Sequence, residues 1–374
     1  MTIEPTATSD RQPASVVGDP LVELEGIDIH FYARKGLFTR TTIRAINQLS
    51  LTVGKRETVA VVGESGSGKT TLGRASLRLV KPVAGRVIFD GEDITSSDEG
   101  KLKGFRRRAQ AVFQDPYSSI NAYMNVSQIV GEPLVVHGVG NKEERDERVR
   151  RALDDVRLSP ADAFVGKYPH TLSGGQRQRV GIARALVLEP DYIVADEPVS
   201  MIDASSRTEI LYLMRDLQAS HGIAFLYITH DIASAAQFSD RVAVMYLGRI
   251  VELGPPSTVI DDPLHPYTQA LIEAVPEPDP KNRFRQRNVV PGEPPSPSNL
   301  PSGCAFHPRC PRFMPGICDP AVPPLVEVKP DHFVSCYLYD EAAVHAASSA
   351  ADALEHAMAT DTVYPEPDDG SETG

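Results

Sequence analysis

No apolar run in this 374-residue chain approaches the roughly 18 residues that a membrane-spanning helix needs. Its first residues, MTIEPTATSDRQPASVVGDP, lack the basic-then-apolar layout of a secretory signal. Both absences argue against a pore or a secreted protein, and a cytoplasmic chain is expected. Basic excess is missing as well. The formal charge is −12, and because residues 341–374 hold eight acids and no Lys or Arg, residues 1–340 carry −4. Generic nucleic-acid binding wants a basic face, so no nucleic acid is expected among the partners. No internal repeat is evident, and no cysteine occurs before residue 304. What is present, 41% hydrophobic and 24% charged residues, suits a folded protein that buries one large core or two smaller ones.

A leader rich in Pro, Ser and Thr covers residues 1–20 and is expected to be disordered. Short β-type runs follow, LVELEGIDIHFY, IRAINQLSLTV and RETVAVVG, with Glu57–Val62 reading as a buried strand. GRVIFDGEDI reads as a hairpin turning at Asp90-Gly91, and RVAVMYLGRIVELG as another turning at Gly248-Arg249. KEERDERVRRALDDVRL predicts a helix with Val149, Ala152, Leu153 and Val156 on its apolar stripe. After Pro263 prolines become dense and all four cysteines fall between 304 and 336, so a boundary is placed near residue 262. Residues 263–340 are expected as a C-terminal extension carrying the four-cysteine site, and 341–374 as an acidic tail. The tail's Ala342–Ala359 half could be helical, and its last residues should be disordered.

VAVVGESGSGKTTLGRASLRLV is an apolar strand, a glycine-rich loop and a helix start, and it fits G-x-x-x-x-G-K-[ST] in the required context. Gly63, Glu64, Ser65, Gly66, Ser67, Gly68 and Thr71 would bring backbone amides and a helix N-terminus to phosphates. Lys69 would reach the outer phosphates, and Thr70 would offer its hydroxyl to Mg²⁺. DYIVADE is a second strand ending in two acids. Asp196 can hold Mg²⁺ through water, and Glu197 can polarise the attacking water. These elements alone would serve a kinase or a GTPase.

LSGGQ, Leu172–Gln176, is left over by that reading. Ser173 is a good N-cap, Gly174 and Gly175 permit close approach of a ligand, and Gln176 opens a helix whose packing side is Val180, Ala183, Leu186 and Val187. The segment reads equally well as a second anion cradle or as an ordinary capped helix.

LSGGQ placed shortly before IVADEP resembles the signature of the ABC ATPase superfamily. That resemblance implies an α/β fold: a P-loop core with a mixed sheet flanked by helices, an antiparallel β subdomain and a helical subdomain, here about 115–172 within an ATP-binding domain of 21–262. It also implies a head-to-tail dimer in which Ser173–Gln176 of one subunit close over the ATP held by the other. Gln114 in VFQDP resembles the Q-loop glutamine that senses Mg²⁺ and the attacking water, and His230 in LYITHD the switch histidine that contacts the γ-phosphate. Asp203 in SMIDAS resembles the D-loop aspartate, although Met201-Ile202 stands where the family usually has Ala-Leu. Phe31 or Tyr32 would stack on adenine.

FQDPYSSIN, PLHPYTQALIEAVP and GCAFHPRCPRFMPGICDP…HFVSCYLY together resemble the ATPase subunits of the oligopeptide/dipeptide importer family over about residues 21–340. The resemblance implies ATP hydrolysis coupled to peptide import. Its partners would be two transmembrane permease subunits, a second ATP-binding subunit, identical or related, and an extracytoplasmic substrate-binding protein. It places the chain peripherally on the cytoplasmic face of the membrane. Oligosaccharide or nickel cargo, and a soluble ABC ATPase without transport, are the alternatives. Clustered cysteines in a cytosolic chain more often bind metal than pair as disulfides. Four thiolates would suit zinc, but the usual C-x₂₋₄-C pairs are missing. The spacing of Cys304, Cys310, Cys318 and Cys336, with the family resemblance, favours an iron-sulfur centre of the 4Fe-4S type that staples a core-poor segment.

Overall fold

The computed structural model describes residues 18–35, 39–115, 119–275, 292–342 and 344. The leader up to residue 17 and the tail from residue 345, with most of its Ala-rich half, lie outside the described residues.

Two long strands come first, β1 (Pro20–Lys35) and β2 (Thr39–Gly54), then β3 (Thr58–Val62), α1 (Lys69–Ser76), β4 (Ala84–Phe89), β5 (Glu92–Asp93), α2 (Glu99–Arg108) and β6 (Ala109–Val112). Helices α3 (Val126–His137), α4 (Lys142–Asp155) and α5 (Gly174–Leu186) follow, then β7 (Tyr192–Asp196), α6 (Ala204–His221), β8 (Ala224–Ile228) and α7 (Ile232–Phe238). The chain continues through β9 (Arg241–Tyr246), β10 (Arg249–Gly254), α8 (Pro256–Asp261) and α9 (Pro266–Glu273) to a last hairpin, β11 (Val326–Lys329) and β12 (His332–Val334).

Four strands form an antiparallel sheet in the order β2-β1-β4-β5, and eight form a mixed sheet in the order β11-β12-β10-β9-β3-β8-β7-β6. In the larger sheet β9, β3, β8, β7 and β6 run parallel. Parallel strands covered on both faces read as continuous apolar runs, and β3 shows why. Val59 and Val61 point into the core shared with the antiparallel sheet, while Ala60 and Val62 point into the core beneath the helices. All four are buried. The α4 stripe Val149, Ala152, Leu153 and Val156 is buried in the helical-side core.

Three expectations change in detail. The first two strands are each 16 residues long because they pair with one another along nearly their whole length, from Pro20 opposite Gly54 to Lys35 opposite Thr39. Asp90-Gly91 does form a turn, but the β9–β10 turn is Leu247-Gly248, one residue before the expected place, since Arg249 is already paired with Tyr246. Among the described residues, the boundary expected near residue 262 does not separate two cores, because the extension packs onto the main one. β12 pairs with β10, Glu252 opposite Val334, so the last hairpin continues the main sheet, and Phe306 is buried in the same cluster as Ala60 and Val62. The physical reason is its composition: a short, proline-rich segment cannot bury enough apolar area alone and borrows an existing sheet edge. A buried carboxylate pins the join. Glu252 accepts the amides of Leu264 and His265 at 2.8 and 2.9 Å, and His332 Nε2 lies 2.7 Å from it.

Candidate active site

β3 delivers the chain into Gly63–Gly68, and α1 begins at Lys69. Only glycine can turn the loop here. A Cβ on Gly63 would lie 2.2 Å from the Met245 carbonyl oxygen, and one on Gly68 2.5 Å from that of Ala45, both at positive φ. Gly68 caps α1 without a side-chain hydrogen bond, so the positive end of the helix carries no side-chain cap. Lys69 is buried, and its Nζ donates to the carbonyls of Gly63 at 2.7 Å and Glu64 at 3.0 Å. Burial pulls its pKa down, opposed by the carboxylates of Glu197, Asp196 and Glu64. An ammonium so placed is stabilised by further anionic oxygens such as those of a polyphosphate.

Thr70 Oγ1 donates to Asp196 Oδ1 at 3.1 Å at the end of β7. Burial raises the Asp196 pKa, and Thr70 lowers it in part. A hydroxyl and a half-buried carboxylate side by side are the hard oxygen donors that magnesium takes. Glu197 follows at φ 46, its amide donating to the Ile228 carbonyl at 2.9 Å. Its two carboxylate oxygens have different neighbours: Gln114 Nε2 donates to Oε2 at 2.9 Å, and His230 Nδ1 stands 3.3 Å from Oε1. Lys69, Thr70, Asp196, Glu197, Gln114 and His230 are thus gathered at one end of the parallel strands, where α/β sheets place their ligands. A carboxylate held on both oxygens in this way can orient a water and take its proton.

LSGGQ lies elsewhere. Ser173 is the N-cap of α5, its Oγ accepting the Gln176 amide at 3.3 Å while Gln176 Oε1 accepts the Ser173 amide at 3.1 Å. The helix it opens packs against edge strand β6 as well as α3, α4 and α6. Three strand spacings, about 14 Å, separate β6 from β3. Gly174 has open space at its Cβ position, and Gly175 faces Ser206 of the helix that Asp203 caps. The signature and Asp203 therefore sit together, away from the chain's own phosphate loop. Of the two residues departing from the family wording, Ile202 takes a buried position and Met201 is exposed. Phe31, opposite Ile43 on the β1–β2 ribbon, and Tyr32 are both exposed.

Residues 46–200 match the ABC transporter family, and residues 251–318 match the C-terminal region of oligopeptide/dipeptide transporters. A putative peptide import ATP-binding protein of Brucella ovis is 45% identical over 317 residues, covering 85% of this chain and 97% of that one. The chain belongs to the ABC transporter family. The oligopeptide transport ATP-binding protein AppF of Bacillus subtilis is likewise 45% identical, over 325 residues covering 86% of this chain and 98% of its own. Among solved structures, an ATP-binding cassette dimer in a post-hydrolysis state with ADP and Pi superimposes with a TM-score of 0.56 at 28% identity, over 63% of this chain and 99% of that one. This ABC protein is an ATPase of the α/β class, with the mixed and antiparallel sheets expected of it.

Two features of this ABC chain escape any reading of its phosphate loop alone. Glu64, inside the loop, is gripped by the extension: its amide donates to the Tyr267 hydroxyl at 2.9 Å, and its carboxylate faces Arg309 at 3.1 Å. HPYTQAL was legible as a family stretch, but nothing in the sequence pairs it with residue 64. The other feature is the cysteine site. Cys304, Cys310, Cys318 and Cys336 are free and line one small cavity. No group of three or more His, Cys, Asp or Glu among the described residues stands in metal-holding geometry. Burial, reinforced by the neighbouring thiols, raises Cys304 to about 11 and Cys336 to about 12. The backbone amides of Phe306, Arg312 and Leu338 point at the sulfurs of Cys304, Cys310 and Cys336 and favour their thiolates.

Proposed function

We propose that this ABC ATPase is the ATP-hydrolysing subunit of a peptide importer, working as a head-to-tail dimer beneath two membrane-spanning permeases. The observation that carries the catalytic reading is Glu197, held by Gln114 on one oxygen and faced by His230 on the other, beside Lys69 and Thr70. In this reading Lys69 and the Gly63–Thr71 amides bind the phosphates. Glu197 takes a proton from the water that attacks the γ-phosphorus, and His230 and Gln114 fix that water's orientation. Thr70, Asp196 and Gln114 would hold Mg²⁺, which when bound neutralises phosphate charge. Ser173–Gln176 and Asp203 would serve the partner's ATP, consistent with their distance from the chain's own loop. Phe31 or Tyr32 would meet the adenine.

Peptide cargo rests on the relatives named for peptide import and on the matched C-terminal region. The cargo would be chosen by an extracytoplasmic binding protein and the permeases. A groove beside Gln114, lined by Phe113, Ile120, Pro133 and His137, suits a permease segment and would tie transport to the ATP site. Among the described residues no helix is long and apolar enough to cross a membrane, which accords with a subunit held peripherally on the cytoplasmic face by its permeases. The four cysteines would hold an iron-sulfur cluster. What supports this reading is the lining of one small cavity by four free thiols, with amides aimed at three sulfurs; the thiols do not stand in metal-holding geometry as they are, so a cluster would have to draw them together. A bound cluster would supply cross-linking to the extension.

The test is reconstitution of the chain in liposomes with the permeases and binding protein encoded beside it. ATP-dependent uptake of labelled peptide is the expected result. Uptake of an oligosaccharide or nickel instead would move the cargo class, and ATP hydrolysis indifferent to the permeases would remove the transport reading.

A further inference from the structure

We propose that Arg309 of the C-terminal extension neutralises the phosphate-loop carboxylate of Glu64 and thereby sets the affinity of the site for ATP. The inference rests on the reading of Gly63–Thr71 as the nucleotide loop. Glu64 is an awkward residue for that loop, since its carboxylate is close enough to support the charge of the Lys69 ammonium. It would therefore repel the polyphosphate that the same ammonium is placed to bind.

The extension supplies the counter-charge. Arg309 is 8% exposed, and its Nη1 lies 3.1 and 3.4 Å from the two Glu64 oxygens, with Nη2 3.4 Å from Oε1. The guanidinium is fixed from its other sides. Nη1 donates to the Tyr246 hydroxyl at 3.4 Å, and the Phe306 ring lies beneath it with its centroid 6.0 Å away. Tyr246, Tyr267 and Phe306, all buried, pack with centroids 4.6 to 5.4 Å apart. Tyr267 from this group accepts the Glu64 amide, and the Glu64 carbonyl accepts Lys69. One loop residue is thus held at its amide, carbonyl and carboxylate, two of the three by residues beyond 262.

Arg309 also stands directly before Cys310 on a one-turn helix, His307–Arg309, whose first amide donates to the Cys304 carbonyl at 3.0 Å. The cysteine-bearing segment therefore presents the cation to the loop, which gives this part of the chain work at the ATP site.

A charge cycle in the full-length chain separates this role from that of a strut. The readout is the Kd of a fluorescent ATP analogue, with thermal unfolding measured alongside. Arg309→Met is expected to weaken binding about tenfold, as an uncompensated carboxylate beside a polyphosphate should. Glu64→Gln should bind at least as tightly as the wild type, and the double variant should regain most of the lost affinity. If Glu64→Gln, Arg309→Met and the double variant are equally weak, the pair only props the loop and the proposal is overturned. Arg309→Met binding within twofold of the wild type overturns it too. Should Arg309→Met not fold, Glu64→Gln decides alone: weaker binding than the wild type refutes neutralisation, and equal or tighter binding supports it. Wild-type binding is the separate control on the nucleotide reading itself.

Discussion

Gln114 and Glu197 meet at 2.9 Å although they are 83 positions apart in the sequence. The parallel register of their strands brings them together: Val112 of β6 is paired with Ala195 of β7, and each catalytic candidate lies two residues further on. On the other side of β7, Asp196 is paired with Ile228 of β8, which puts His230 past the same strand ends. Three adjacent parallel strands thus converge on one carboxylate, and a one-residue slip in any of them would turn its side chain away.

Replacing Glu197 with Gln should preserve nucleotide binding, because Lys69 and the loop amides are untouched, while removing the base. Steady-state phosphate release in the assembled transporter is expected to fall by about 10²–10⁴-fold. Near-normal release would mean that another group takes the proton.

The separation of LSGGQ from its own phosphate loop leads to a contrast between two variants. Ser173→Arg removes a cap worth about 1 kcal/mol to α5 and places a bulky cation on the surface read as the dimer contact. The isolated chain should still bind ATP, but ATP-driven dimerisation, followed by light scattering, should be lost. Lys69→Ala should weaken ATP binding directly. Equal loss of binding in both variants would defeat the head-to-tail arrangement.

Much of this site was legible because its parts are local. Gly63–Thr71 and Ser173–Gln176 are each a loop and a helix start within one short stretch, and strand ends followed by polar residues marked Asp196, Glu197 and His230. What could not be read depends on pairing between distant segments. β12 joins β10 across some 80 residues, so the expected boundary near 262 divides one continuous sheet. The turn at Leu247-Gly248 was missed by one residue because Leu247, at φ 43, carries none of the usual turn preference. Arg309 reads as one of several basic residues in a proline-rich stretch, and only the fold puts it against Glu64.

His265 ties this join to pH. Its Nδ1 accepts the Tyr267 amide at 3.0 Å, so the neutral ring carries its proton on Nε2. Protonating Nδ1 would break that cap. Burial lowers its pKa to about 4, against a weaker opposing pull from Glu252. Between about pH 6.5 and 4 the unfolded chain binds a proton here that the folded chain refuses, so this contribution is fully present above pH 6.5 and is lost as pH falls, by up to about 3 kcal/mol. His265→Asn keeps an acceptor at the cap and cannot titrate. The loss of stability between pH 7.5 and 5, read from denaturant midpoints, should be smaller in the variant by about 2 kcal/mol. Identical losses in the two proteins would show that His265 titrates normally.

The cysteine site gives the last test, and here the structure alters what the sequence suggests. From sequence, the cysteines and the phosphate loop belong to separate cores, and disturbing one should spare the other. In the fold, Cys310 is bonded to Arg309, and Arg309 faces Glu64 at 3.1 Å. Protein purified without oxygen is expected to be brown with about four irons per chain. Cys310→Ser should bleach it, loosen residues 292–340 to hydrogen exchange, and also weaken ATP-analogue binding. If bleaching leaves ATP affinity untouched, the cluster does not act through Arg309. Colourless protein with about one zinc would replace the cluster by a structural zinc site. Absence of both metals from anaerobic material would leave four free thiols packed as small apolar groups, with burial raising the pKa of Cys304, Cys310 and Cys336.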